Sequence, residues 1–173
     1  MIRDATTTDA AQCAAIYAPY VAHTTFSLEE TPPDRAEMAR RIEQAQHAHA
    51  WLVREEEGLV IGYAYGAPFR SRAGFRWTCE VSVYVMSSRQ GRGTGRALYA
   101  ALLTRLAALD YRCAVACLVE PHSASAALHR STGFARVGTF RSVGFKHGGW
   151  RDVTFYERSL TAGSGSSTER QDG

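Results

Sequence analysis

Apolar positions along this chain change their period several times, and each change marks a new element. Cys13, Ile16, Tyr17, Tyr20 and Val21 recur at helical spacing behind Thr8, a residue type suited to a helix N-cap, and a short strand at residues 2–5 precedes them. A second helix is predicted from Thr31, with Pro32 at its first position, Asp34 three residues on, and Met38 and Ile42 on one face. Residues 51–54 and 59–65 form two strands hairpinned across Glu55-Glu56-Glu57-Gly58. After a polar loop at 70–76 the period falls to two. Val81, Val83 and Val85 share one face of a strand over 78–86, the predicted centre of a sheet. Leu98, Leu102, Leu106 and Leu109 then mark an amphipathic helix, followed by a buried strand at 113–119 and a short helix at 121–132 that Gly133 closes. Two long strands, 135–145 and 150–160, turn at Lys146-His147-Gly148-Gly149. Residues 1–160 are expected to form a single domain. The Gly/Ser-rich stretch 161–173, with no apolar residue after Ala162, is expected to be a disordered tail.

Composition narrows the class without naming it. The chain has 173 residues, 45% of them hydrophobic, enough for one core without disulfide staples. Its net charge of +3 comes from 20 basic and 17 acidic residues scattered along the chain, which argues against nucleic-acid binding. Cys13, Cys79, Cys113 and Cys117 form no CxxC pair, and three lie in apolar stretches, so a reducing, cytoplasmic setting is expected. No apolar run approaches the roughly 20 residues of a membrane span. No metal site is expected, because His47 and His49 stand two apart on a helix and the other histidines are isolated.

The chemistry-bearing segment is Gln90-Gly91-Arg92-Gly93-Thr94-Gly95-Arg96, between the Val-rich strand and the next helix. A helix start leaves N–H groups without partners and carries about half a positive charge, so this arrangement suits a phosphate. Glycines allow close backbone approach, and Arg92 and Arg96 add charge-assisted donors. No Gly-Lys-Ser/Thr follows, which excludes a Walker A loop. The spacing is GxGxG rather than GxGxxG, and Asp110 comes too early to bind a ribose, which disfavours a dinucleotide. A plain Gly-rich turn carrying surface arginines is the bland alternative.

The Gln-x-x-Gly-x-Gly pattern after a Val-rich strand resembles the coenzyme A pyrophosphate loop of the GNAT superfamily of N-acetyltransferases. Further segments resemble phosphinothricin and methionine sulfoximine acetyltransferases: Gly66-Ala67-Pro68-Phe69 with Arg72, Trp77-Thr78-Cys79-Glu80, Val83-Tyr84-Val85, Leu128-His129 and Lys146-His147-Gly148-Gly149-Trp150-Arg151-Asp152-Val153. They span residues 2 to about 160, and the Lys-His-Gly-Gly-Trp string is the most specific.

The resemblance implies an α+β GNAT fold: one domain in an α/β/α layered arrangement, with a mixed central sheet and a coenzyme A cleft beside the Val-rich strand. It implies that acetyl-CoA is the co-substrate, that Val83, Tyr84 and Val85 bring backbone to the pantetheine arm, and that Gly91, Arg92, Gly93, Thr94, Gly95 and Arg96 hold the phosphates. Where relatives carry a pantetheine-binding Asn, this chain has His122. By the same likeness Glu80 and His129 handle protons, Glu80 being the first choice for base, and His129 or Tyr84 would protonate the leaving thiolate. Arg72 and Lys146 would supply cations to the acceptor, with Trp77 lining its pocket. A homodimer is implied too, its Lys146–Trp150 hairpin near the neighbour's site.

From the residues themselves, alternation places Glu80 opposite the three valines, and burial beside Trp77 and Tyr84 would raise its pKa toward a useful range. Each of these residues has a structural alternative: a carboxylate satisfied by backbone, a packed histidine, a solvated arginine or lysine. The implied acceptor is a small amine, an amino acid bearing an oxidised sulfur or phosphorus group. A peptide-terminus acetyltransferase and a non-catalytic coenzyme A-binding module are the competing functions.

Overall fold

The computed structural model describes residues 1–161, so all but the first residue of the expected tail lies outside the described part. The chain runs β1 (Ile2–Asp4), α1 (Ala10–His23), α2 (Arg35–Ala48), β2 (Trp51–Glu56), β3 (Leu59–Pro68), β4 (Thr78–Val85), α3 (Thr94–Ala108), β5 (Cys113–Val119), α4 (Ser123–Ser131), β6 (Ala135–Lys146) and β7 (Gly149–Ser159). Seven strands form one sheet in the order β1-β2-β3-β4-β5-β7-β6. All neighbours are antiparallel except β4 and β5, because the α3 crossover returns the chain to the same end of the sheet.

Both faces of the sheet are covered, and the strand period decides which side chain goes where. On one face Leu98, Leu102 and Leu106 of α3 bury against Cys79, Val81, Ala114, Ala116 and Leu118. On the other, Ile16, Tyr17 and Val21 of α1 and Met38 and Ile42 of α2 bury against Val53, Val60 and Tyr63. Truncating one such leucine to alanine costs about 2–5 kcal/mol, so these two stripes hold the layers together. Leu109, expected on the same stripe, falls at the C-cap of α3 and is exposed.

Two helix starts differ from the sequence reading for identifiable reasons. Helix α1 begins after a turn at Thr7–Asp9, not at a Thr8 cap. The Asp9 carboxylate accepts from Thr6 N–H at 2.8 Å and is forked by Arg3 at 2.8 and 2.9 Å, a stronger arrangement than a threonine hydroxyl. Helix α2 begins at Arg35, with Asp34 Oδ1 accepting from Glu37 N–H at 2.8 Å. Pro33 keeps Pro32 out of the helical region, so the start at Thr31 could not form. Helix α4, expected from residue 121, begins at Ser123 with His122 as its N-cap, and β2 and β3 run past their expected ends to Glu56 and Pro68. Gly133, at φ +84°, closes α4 with paired bonds from its N–H to Arg130 and from Phe134 N–H to His129. His147 and Gly148, both at positive φ, make the two-residue turn between β6 and β7.

Candidate active site

The site is built on the single parallel pairing. Strands β4 and β5 are joined only at Thr78–Cys113, Cys79–Ala114 and Glu80–Val115. Beyond Glu80 they part, and the sheet opens into a wedge with a cavity of about 700 Å³. Its walls are Val81–Val85 on one side and Ala116–Val119 on the other, with the glycine-rich loop and α4 closing it. That volume lies in the range of small-molecule and cofactor sites.

Alternation along β4 decides which backbone groups face the wedge. Met86 N–H bonds Ile61 of β3, so even-numbered residues are committed to that neighbour. The Val81 carbonyl instead meets the Tyr99 hydroxyl at 3.5 Å, and the Val85 carbonyl accepts from Tyr20 at 2.6 Å. Val81, Val83 and Val85 therefore turn their peptide groups away from β3; Tyr20 takes both those of Val85, accepting from its N–H at 3.4 Å, which leaves Val83 to pair with an extended amide-bearing ligand. Tyr84, expected to share this backbone role, does not: its peptide groups pair with Tyr63, and its ring packs among Tyr17, Tyr20 and Tyr63.

The wedge ends at the start of α3. Gly93 is the N-cap at φ +78° and Gly91 lies at φ +73°, conformations open to glycine and costly for side chains. Gly95 answers a different need, since a Cβ there would meet Leu128 Cδ2 of α4 at 3.3 Å. Thr94, Gly95 and Arg96 are the first residues of α3, where N–H groups have no partner within the helix. Gly91, Gly93, Thr94, Gly95 and Arg96 line the cavity, whereas Arg92 points away as an exposed side chain. Tyr20, which sequence reasoning assigned only to packing, ties this corner together by bonding Val85 and Gln90 Nε2 at 2.6 and 2.7 Å.

Glu80 sits at the closed end of the wedge, on the face opposite Val81. Burial raises its pKa above the ordinary carboxylate value, opposed by the neighbouring Cys117 side chain and the charge of Arg70. It is not among the cavity-lining residues, although Ser82 and Cys117 are. Arg70, which sequence reasoning passed over, is thus the cation nearest in effect to the carboxylate, its guanidinium stacked on Phe69 at 4.4 Å. Arg72 and Trp77 lie in the exposed loop that leads into β4, outside the cavity.

His129 is buried in the other wall. Its Nδ1 meets the Ser125 carbonyl at 2.7 Å, and since a carbonyl only accepts, Nδ1 carries the proton. Nε2 is then an acceptor, and the Tyr99 hydroxyl donates to it at 3.0 Å. Burial lowers the His129 pKa, partly offset by the Ser125 bond, so the ring is neutral near pH 7. Tyr99 looked like a helix-core residue in the sequence; only the opening of the sheet makes its hydroxyl part of the cavity.

At the open mouth His122 is the N-cap of α4, and its ring lies 3.9 Å from Phe26, centroid to centroid. Both line the cavity, and burial lowers the His122 pKa. Lys146, expected to face the acceptor, is instead buried beneath this mouth. Its Nζ donates to the carbonyls of Val21 and Ser27, each at 2.6 Å, because the β6–β7 hairpin packs on the end of α1. Replacing it by Met leaves two buried carbonyls unpaired, and we expect a loss of roughly 2–4 kcal/mol in denaturant unfolding, with little change in the acetyl-CoA KM.

Among the described residues, no group of three or more His, Cys, Asp or Glu side chains is placed to hold a metal ion. Also among the described residues, no helix is long and apolar enough to cross a membrane.

Comparison with known proteins agrees with this architecture along the chain. Residues 2–155 match the family described as "Acetyltransferase (GNAT) domain". A phosphinothricin N-acetyltransferase of Streptomyces viridochromogenes is 38% identical over 159 residues, covering 92% of this chain and 87% of its own. An L-methionine sulfoximine/L-methionine sulfone acetyltransferase of Pseudomonas aeruginosa is 38% identical over 161 residues, covering 92% and 94%. The crystal structure of a phosphinothricin acetyltransferase from Sinorhizobium meliloti in complex with acetyl-CoA superposes with a TM-score of 0.89 at 38% identity, covering 100% of this chain and 94% of that one. A wedge beside a valine-rich strand, a helix start open to phosphates and likeness across nearly the whole length lead to one conclusion: the chain belongs to the GNAT acetyltransferases and is an acetyl-CoA-dependent N-acetyltransferase.

Proposed function

We propose that the acceptor is the α-amino group of a small amino acid bearing an oxidised sulfur or phosphorus group, in the manner of phosphinothricin, methionine sulfoximine or methionine sulfone. The observation that carries this reading is the wedge itself, a cavity that runs from a helix start suited to phosphates back along β4 toward the point, at Glu80, where β4 and β5 part. The names of relatives 38% identical over most of the chain support the acceptor class. Arg70 and Arg72, on the loop entering β4, are the cations assigned to the acceptor's acidic groups. Their loop is cation-rich, with Arg76 stacked on Trp77 at 5.4 Å, and holds no acidic residue between 69 and 77.

An α-amino group titrates near pH 8, so it reaches the site protonated and two protons must leave it. Glu80 takes the first, directly or through a water, which its raised pKa favours. The freed amine attacks the thioester carbonyl, and the unpaired N–H of Val83 stabilises the oxyanion. The second proton balances the leaving thiolate. We assign its transfer to the Tyr99–His129 pair: Nε2 accepts the Tyr99 proton as the hydroxyl oxygen receives one from the intermediate, and the reverse hop delivers it to sulfur. This places Tyr99 where sequence reasoning had only His129 or Tyr84.

A panel of amino-acid and peptide acceptors incubated with acetyl-CoA, with free thiol followed, tests the assignment. We expect turnover with the sulfoximine, sulfone or phosphinate amino acids to exceed that with peptides. Thiol release no faster than hydrolysis with every such amino acid, or faster with peptides, would sink it.

We further propose that the chain acts in the cytoplasm as a homodimer. Its four cysteines are free thiols, which suits a reducing compartment. Val137, Phe140, Val143, Phe145 and Trp150 of β6 and β7 are each more than half exposed, a set of large apolar side chains on one hairpin that suits an interface. Phe140→Glu combined with Trp150→Glu is expected to give a monomer by light scattering at a concentration where the parent is dimeric. A parent that is itself monomeric would refute the dimer.

A further inference from the structure

We infer that Tyr20 is a positioning residue for the donor: its hydroxyl staples the end of β4 to the glycine-rich loop and so fixes the spacing between the two places assigned to coenzyme A. The inference rests on the assignment of the phosphates to residues 91–96 and of the pantetheine arm to β4. All the bonds meet at one oxygen. Tyr20, on α1, donates to the Val85 carbonyl at 2.6 Å and accepts from Gln90 Nε2 at 2.7 Å, with a longer contact from Val85 N–H at 3.4 Å. A phenol has one proton to give and two lone pairs to accept with, so these three bonds use its whole capacity. Burial raises the Tyr20 pKa, so the hydroxyl keeps at neutral pH the proton it gives to Val85.

The position of the two partners explains what the staple does. Val85 is the last residue of β4, and Gln90 follows the turn at Ser87–Arg89 and precedes Gly91. The turn's own backbone bonds are local, from Arg89 N–H to Met86 at 2.8 Å and from Gln90 N–H to Ser87 at 3.4 Å, so they link residues no more than three apart. Tyr20 reaches across the whole connection from a different element. Its ring is held by edge contact with Tyr84 at 5.1 Å between centroids, which fixes the hydroxyl relative to the sheet. A ligand that engages both the strand and the helix start gains from a fixed spacing, because less of the site remains to be ordered when it binds. A ligand that engages the strand alone gains little from it.

Isothermal titration of the full chain with coenzyme A and with pantetheine, which lacks the phosphates, tests this without any turnover. In Tyr20→Phe, which keeps the ring and removes the hydroxyl, we expect coenzyme A to bind about 10-fold more weakly and pantetheine to bind as in the parent. A merely structural role would weaken both. Gln90→Leu cuts the loop end of the staple alone. It is expected to reproduce most of the loss, and the double variant to be no worse than Tyr20→Phe, because both changes break the same link. Equal weakening of the two ligands, additive losses in the double variant, or unchanged coenzyme A affinity in Tyr20→Phe would overturn the inference. A parent that binds pantetheine as tightly as coenzyme A would instead overturn the assignment of the phosphates to the loop, and the staple's role with it. The two failures are distinguishable because the second is read in the parent and the first only in the variants.

Discussion

Glu80→Gln is expected to lower kcat by about 10²- to 10⁴-fold, the usual reach of a positioned general base, while the acetyl-CoA KM moves little. The split follows from geometry. Glu80 lies at the closed end of the wedge, where its strand still pairs with β5, whereas the donor's phosphates are assigned to the helix start at the far end. The parent's pH dependence carries the sign of the same argument. A base must be ionised, so activity falls as pH drops through the Glu80 pKa. Because burial raises that pKa, the fall comes at higher pH than for an exposed glutamate. Steady-state kinetics across pH with both substrates varied would check both statements. A variant that loses acetyl-CoA affinity and turnover equally would show that Glu80 holds the wedge together rather than handling protons.

Gly93→Val is expected to raise the acetyl-CoA KM by roughly 10- to 100-fold with a smaller effect on the acceptor KM, the penalty being of order 1–3 kcal/mol for a side chain in this backbone region. The mechanism is conformational. An added Cβ at Gly93 meets no atom within 4 Å, so crowding within the chain is not what requires glycine. The φ of +78° is, and it sets the direction of the first N–H groups of α3. A β-branched residue pulls the cap toward negative φ and turns those donors away from a phosphate. Isothermal titration with coenzyme A would measure the loss directly, and unaltered affinity would mean that the phosphates lie elsewhere.

Features carried by local chemistry were legible before any coordinates. The glycine-rich loop announces a strand-to-helix junction because glycine spacing and the following leucine period are properties of consecutive residues. The face of Glu80 follows from the valine alternation around it, and the hairpin turn from a His-Gly pair between two long apolar-patterned strands. Where local signals competed, the sequence misled. Thr8 and Thr31 both have residue types found at helix starts, but Asp9 gains the Arg3 fork and Pro33 forbids an earlier start to α2.

Three properties of the site depend on residues far apart in the chain. Lys146 is buried because two carbonyls at the end of α1 and in the loop after it lie within reach of its ammonium, a relation between positions more than 100 apart. Tyr99 and Cys117 become part of the cavity because strands β4 and β5 separate after three paired residues. Sequence by itself determined the elements, the phosphate-binding junction and the side of the sheet on which the carboxylate falls, since each rests on a period or a neighbour within a few positions. Tertiary structure alone decided which hydroxyl faces His129 and which basic side chain is withdrawn into the protein, since those depend on where a sheet opens and which distant elements pack together.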